Sequence, residues 1–273
     1  MGELPARLYK YQPANARTLE NLRVRGVWFS HPSAFNDPFD CAVDVRFKNS
    51  FDQTDLDRVL EYVSPQVEFA PEVKAELLTD GRPNERFQAV LEGAVARTPL
   101  AAEVERLREN IGVACFSARV DQLLMWAHYG DGHRGLALEF DTSHDPFQKA
   151  IPVAYQDGFP EVNPIDILDD RSTGQDVVEA MLCTKHSSWE YEQEWRVLRG
   201  TAGTEFRCAR EALTGVYLGA AMSPGMKDIV GKLLHGSAVQ LYEMTRDPEG
   251  FAVRATAVTY TPFDEAESGD EAP

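Results

Sequence analysis

The stretch SSWEYEQEWRVLRG, residues 187–200, constrains the fold more than any other. Trp189, Tyr191, Trp195 and Val197 stand at odd positions, and Glu190, Glu192, Glu194 and Arg196 at even ones. Successive side chains of a strand leave opposite faces. The alternation therefore predicts a strand with an aromatic face against a core and a second face carrying three carboxylates and a guanidinium. Charged faces are common on edge strands, where they block aggregation. Here two tryptophans anchor the opposite face, and like charges at i, i+2 repel unless a cation lies over them. Glu192-Gln193-Glu194 would set two carboxylates about 7 Å apart on one face.

The surrounding pattern predicts an α+β chain with a mainly antiparallel mixed sheet and helices inserted between strands. LYKY (8–11), VWFS (27–30) and CAVDVRF (41–47) read as strands. NARTLENLRVRG reads as a helix capped by Asn15 and stopped by Gly26. Residues 52–110 are helical in period and polar in composition, and form an insertion of about sixty residues, longer than ordinary connections. IGVACFS (111–117) is almost wholly apolar, as a buried central strand is. DQLLMWAHYG reads as a short helix with Asp121 as its cap, followed by the strands GLALEFD and AIPVAY. TGQDVVEAMLCTKH is a helix leading into the alternating stretch. TGVYLG, a helix over PGMKDIVGKLLHG, and the strands AVQLYEMTR and FAVRATAVTY complete the pattern. Residues 1–263 are expected to form one domain. Residues 264–273 carry five acids, no base and no aromatic, and are expected to be disordered.

Charge and cysteine usage narrow the classes. The net charge is −17, which disfavours non-specific nucleic-acid binding through a basic surface but leaves room for a local basic site. Cys41, Cys115, Cys183 and Cys208 contain no CxxC pair, and buried thiols are expected rather than disulfides. No window approaches eighteen apolar residues. MGELPARLYKYQ lacks the basic start and apolar core of a secretory signal, and Ala6 stands where a myristoylation signal has Ser or Thr. The expectation is a cytoplasmic protein with no membrane segment.

Three stretches could carry chemistry. Paired carboxylates such as Glu192 and Glu194 can divide labour at a sugar carbon. One stabilises a developing cation, and the other orients or deprotonates a nucleophile. In SHPSAFNDPFDC, Asn36 and Asp37 before Pro38 can make side-chain turns that hold a loop rigid, either as a structural turn with Phe35 and Phe39 tucked inward or as a site wall. In CFSARVDQLLMWAHYGDGHRGLALEF, Met125 and Trp126 fit a core at helical spacing as well as a ligand wall. His128 and Tyr129 end that helix before a glycine-rich turn. No GxGxxG or Walker pattern occurs. No HExxH or paired-cysteine metal motif occurs either, although Asp37, Asp40, Glu139, Asp141 and Glu194 could gather a hard cation.

The ordered set of LYKY, VWFS, FNDPFD, CFS, LLMWAHYGDGHRGLALEF and WEYEQEWRV resembles the bacterial family known as domain of unknown function 2971, over residues 8 to about 200. A strand, a helix, a second strand ending in Ser30 and a late Glu-x-Glu strand further resemble the ADP-ribosyltransferase fold. That resemblance implies NAD as substrate. Lys10 or Tyr11 would seat the ribose or phosphate, Ser30 would shape the nicotinamide pocket, Glu194 would grip the ribose, and Glu192 would orient the acceptor. The usual first-strand Arg or His and the Ser-Thr-Ser motif are both missing here, and FNDPFD has no counterpart. Asn36, Asp37, Trp126, His128 and Tyr129 complete the candidate binding set. Arg119, Arg134 or Lys185, besides Lys10, would meet the pyrophosphate. The acceptor, protein or nucleic acid, stays open, and a toxin or phage-defence enzyme of this kind would imply a neutralising partner protein. A non-catalytic binding or regulatory module, and a carboxylate-based nuclease, are the alternative readings of the same residues.

Overall fold

The computed structural model describes residues 2–41, 46–47, 51–63, 76–79, 82–95, 106, 109–168 and 173–261. The acidic tail and parts of the expected insertion lie outside the described residues. The chain divides into two compact units, residues 1–31, 112–153 and 187–273, and residues 32–111 and 154–186. Strands are numbered along the whole chain.

The first unit holds β1 (Arg7–Gln12), β2 (Gly26–Phe29), β6 (Gly112–Ser117), β7 (Leu136–Asp141), β8 (Ile151–Pro152) and β12 (Glu194–Arg199), then β13 (Thr204–Arg207), β14 (Leu213–Leu218), β15 (Gln240–Arg246) and β16 (Val253–Val258). Eight of these form one mixed sheet in the order β16-β15-β14-β7-β1-β6-β12-β8. Every neighbouring pair is antiparallel except β14 and β15. β2 and β13 make a separate antiparallel ribbon, tied to the sheet where Ser30 bridges Val113.

The two faces of the sheet differ because their residues do. Leu8, Phe116, Leu138, Phe140, Trp195 and Val197 enter a core shared with Leu22, Val27 and Phe29. Within it Phe140 stacks on Phe147 at 4.4 Å and Phe116 meets both edge-on, geometries that suit the ring quadrupole. The helix Ala16–Val24 seals this face. Asn15 caps it by accepting from the Thr18 amide at 2.9 Å. Its end is set by Arg25 at φ 55°, whose amide bonds the Asn21 and Leu22 carbonyls, and not by Gly26, which already belongs to β2. The helix Pro224–Leu234 adds Val230 and Leu234. On the opposite face a smaller cluster gathers Tyr11, Trp126, Ala137, Tyr217 and Met244.

The second unit contains β3 (Arg46–Phe47), β4 (Leu78–Thr79), β5 (Arg82–Pro83), β9 (Ala154–Gln156), β10 (Glu161–Val162) and β11 (Thr184–His186), paired two by two. The helices Gln53–Val63, Glu85–Val95, Pro164–Leu168 and Gly174–Leu182 accompany them. Phe87, Leu91, Ile165, Val177 and Met181 are buried here. Residues 150–155, expected as one strand, are split between β8 and β9, and the helix expected to run to His186 stops at Leu182, before β11.

The alternating stretch differs from expectation at one point. Ser187–Glu192 winds as a 3-10 helix, Gln193 turns through φ 43°, and only Glu194–Arg199 is strand. Trp195 and Val197 do enter the core and Glu194 and Arg196 do face away. Glu192, however, precedes the strand and is not its i−2 neighbour on a common face.

Candidate functional site: a polar row across the sheet

Directly opposed residues of an antiparallel pair share a face. The registers Gly215↔Glu139, Glu139↔Tyr9, Tyr9↔Ser117 and Ser117↔Glu194 therefore align one row across five strands. At about 4.8 Å per strand the row spans about 19 Å. In the next row Arg196 opposes Cys115, and Tyr217 opposes Ala137 and lies level with Tyr242. A sheet face this polar is one that water or a ligand can reach, or one whose groups satisfy each other.

At one end of the row the groups satisfy each other closely. Arg196 is 0% exposed and Glu194 5%. Arg196 donates from Nε to Glu194 Oε1 and from Nη2 to Oε2, each at 2.9 Å. Such a two-point bond is the strongest form of this pair, and it offsets the cost of burying both charges. The neighbouring Cys115 thiol is pushed well above its ordinary range by burial and by the Glu194 carboxylate, against the pull of Arg196 and Lys10. Lys10 donates to the Cys115 carbonyl at 3.1 Å and lies 5.1 Å from the Phe116 ring centre. Burial lowers the Lys10 pKa, and the charges of Cys115 and Glu194 work in the other direction.

Beside this pair the helix Leu123–His128 brings up its C-terminal end. Tyr129 donates its hydroxyl to Glu192 Oε1 at 2.7 Å, and Glu192 is 2% exposed. Ser117 donates to the Glu192 carbonyl at 2.7 Å and so ties the 3-10 turn to β6. His128 Nδ1 lies 3.0 Å from the Tyr191 hydroxyl. Trp189, Tyr191 and His128 are mutually edge-on or tilted, with ring centres 6.0 to 6.5 Å apart, and His128 is exposed. A corner of rings above a buried carboxylate could hold a flat, positively charged group. The turn that follows needs Gly135, where a Cβ would collide with the Gln12 carbonyl oxygen.

At the far end Glu139 accepts from Thr214 Oγ1 at 2.6 Å and Tyr217 at 2.7 Å, with Arg7 Nε 3.6 Å away. Burial, and then this carboxylate, raise the hydroxyl pKa of both Tyr9 and Tyr217.

The sequence-predicted residues fall into three groups. His128, Tyr129, Glu192 and Glu194 converge on the row and its aromatic corner, whereas Lys10, opposite Leu138 in register, leaves β1 on the apolar face and reaches the Cys115 carbonyl beside the Phe116 ring. Tyr11 and Trp126 support it: Tyr11 donates to the Arg119 carbonyl at 2.8 Å, Trp126 to the Val120 carbonyl at 2.6 Å, and their rings meet edge-on. At 0% exposure Trp126 belongs to the core, one of the two roles open to it from spacing. Ser30 pairs with Val113 through both backbone groups.

Asn36 and Asp37 belong to the second unit. There Asp37 accepts from the Phe39 amide at 2.9 Å, the structural turn, while Phe39 is 69% exposed instead of tucked inward. The cations expected at a pyrophosphate have local partners: Arg119 holds Asp121, Arg134 holds Asp131, and Lys185, also in the second unit, holds Asp40 at 3.3 Å. Asp121 thus pairs with Arg119 and does not cap its helix, whose cap position is Gln122. Among the described residues no group of three or more His, Cys, Asp or Glu could hold a metal ion, and no helix is long and apolar enough to cross a membrane. Sequence reasoning missed Ser117, Cys115, Tyr9 and Tyr217. Their only signal was cross-strand register, which no single stretch carries.

A family model described as Protein of unknown function (DUF2971) matches residues 125–197. That span holds Trp126, His128, Tyr129, Glu139, Glu192, Glu194 and Arg196, and excludes Lys10, Tyr11, Ser30, Asn36 and Asp37. No curated protein and no solved structure matches the chain.

Proposed function

We propose that this chain, which matches the DUF2971 family model across residues 125–197, is an NAD-dependent ADP-ribosyltransferase-like enzyme working on the polar row. The observation that carries the reading is the burial of Glu194, paired with Arg196, on the sheet face beside β6, next to a second buried carboxylate and an aromatic corner whose His128 is exposed. A carboxylate destined only for solubility would face bulk water. Arg196 fixes the Glu194 carboxylate by two hydrogen bonds, and a carboxylate already held in place stabilises a ribosyl cation without reorganising.

His128, Trp189 and Tyr191 supply rings for the cationic nicotinamide. The nicotinamide–ribose C–N bond breaks, and its electron pair leaves with nicotinamide. A nucleophile of the acceptor forms the new bond to the same ribose carbon and gives its proton to Glu192, which Tyr129 holds in place. The acceptor is a protein or nucleic-acid group. A toxin or defence enzyme with this activity would need a neutralising partner.

One observation favours a second reading. Both Glu194 oxygens are engaged by Arg196, which suits a structural ion pair in a non-catalytic ligand-binding module. Nicotinamide release, followed chromatographically with NAD and cell extract as acceptor source, separates the two. The enzyme reading expects release by the wild type, and its loss in Glu192→Gln and Glu194→Gln proteins that keep their circular dichroism. Binding of NAD with no release by the wild type would support the binding module.

A further inference from the structure

We infer that the outer face of the β2–β13 ribbon, with the helix Ala16–Val24 beside it, binds single-stranded nucleic acid. The register sets Trp28 opposite Glu205 and Gly26 opposite Arg207, so these four share one face, while Val27, Phe29 and Phe206 on the other face join the core. From the helix, Arg17 lays its guanidinium 4.0 Å from the centre of the Trp28 ring. Arg25, at the left-handed end of the helix, keeps a buried Nε with no hydrogen-bond partner. Arg23 and Arg207 extend the patch, and both are exposed.

Two carboxylates interrupt it. Glu20 holds Arg23 at 2.7 Å and Glu205 holds Arg207 at 3.1 Å. Among the described residues Arg17 and Arg25 have no carboxylate partner, although the chain carries 44 acids against 27 lysines and arginines. Arg17 is exposed with its guanidinium resting on the Trp28 ring, so that its outer side is open to an anion from outside. Guanidinium forks match phosphate oxygens in pairs. An indole beside them offers a ring surface on which an unpaired base stacks, a surface that a duplex keeps inside its own stack. An acidic protein segment would use the charges but not the ring. The ribbon packs on the apolar face of the sheet, so the surface lies away from the polar row and does not depend on the function proposed for it.

Fluorescence anisotropy of an end-labelled oligodeoxythymidylate, measured against the full chain over a salt series, tests this. The wild type should bind at low salt. Arg17→Ala/Arg207→Ala removes two surface side chains on which the core does not rest. It should weaken binding tenfold or more and flatten the log–log salt slope by about 1.4, because each phosphate left without its arginine takes about 0.7 from the slope. Trp28→Leu should weaken binding with the slope unchanged. Absence of binding at low salt, equal binding by the variants, or displacement by polyglutamate as effective as by unlabelled oligonucleotide would each overturn the inference.

Discussion

Arg196 closes both carboxylate oxygens of Glu194 from two residues along the same strand, at 2.9 Å each, and neither residue is open to solvent. Glu194 forms the end of a polar row that continues through Ser117 and Tyr9 to Glu139. Removing one partner leaves a buried charge without its counter-ion. Arg196→Met is therefore expected to cost about 3–5 kcal/mol. Glu194→Gln leaves the fully buried Arg196 guanidinium without its counter-ion and should cost a similar amount, offset only in part by the one acceptor the amide keeps. Urea unfolding, read as a shift in midpoint at constant slope, measures both.

Glu139 offers a second test of the row. Tyr217→Phe deletes a 2.7 Å bond to a buried carboxylate and is expected to cost about 1.5–3 kcal/mol, the range for hydrogen bonds to charged groups. Thr214→Val removes a bond to the same carboxylate. The two losses should not add, since they share one acceptor, and a double-mutant cycle by urea unfolding reads the coupling.

The break between Glu192 and Glu194 depends on Gln193 at φ 43°. A β-branched residue resists that conformation, so Gln193→Val is expected to lose about 1–2 kcal/mol. Gln193→Gly should be close to neutral, because relief of the left-handed strain offsets the greater freedom of the unfolded glycine. Thermal unfolding of the two variants checks the order.

Stability should fall in alkali. Burial raises the Cys208 thiol to about 12, and raises the Cys115 thiol and the Tyr11 and Tyr217 hydroxyls as well. Above pH 9 the unfolded chain sheds these protons first, so the folded state binds more of them and stability drops as pH rises. Each group contributes at most about 1.4 kcal/mol per pH unit between its unfolded and folded values. Lys10, lowered by burial, opposes the trend, since there the unfolded state binds the extra proton. Cys208→Ser should make the decline between pH 9 and 12 shallower in a urea-unfolding series, and an unchanged decline would count against the assignment.

Much of the sheet was legible because its strands alternate or run apolar. Trp195 and Val197 enter the apolar core and Glu194 and Arg196 take the other face of the sheet, as their parity requires. Helix capping by Asn15 was equally readable, since a short polar side chain before an apolar period has a local partner. What escaped was non-local or conformationally costly. Gln193 carries no composition signal for a left-handed turn, so parity alone puts Glu192 one element too late. Cys115 beside Arg196, and Tyr217 on Glu139, exist only once strands far apart in sequence pair. The division at residues 31/32, 111/112, 153/154 and 186/187 follows from packing that no linker composition marks.

The central claim is that the polar row and its aromatic corner hold NAD. Calorimetric titration of NAD into the full chain tests it most directly, with Trp189→Ala as the comparison. The account predicts a single site in the wild type and at least tenfold weaker binding in the variant. A wild-type titration without heat at several temperatures, or equal binding by both proteins, would contradict it.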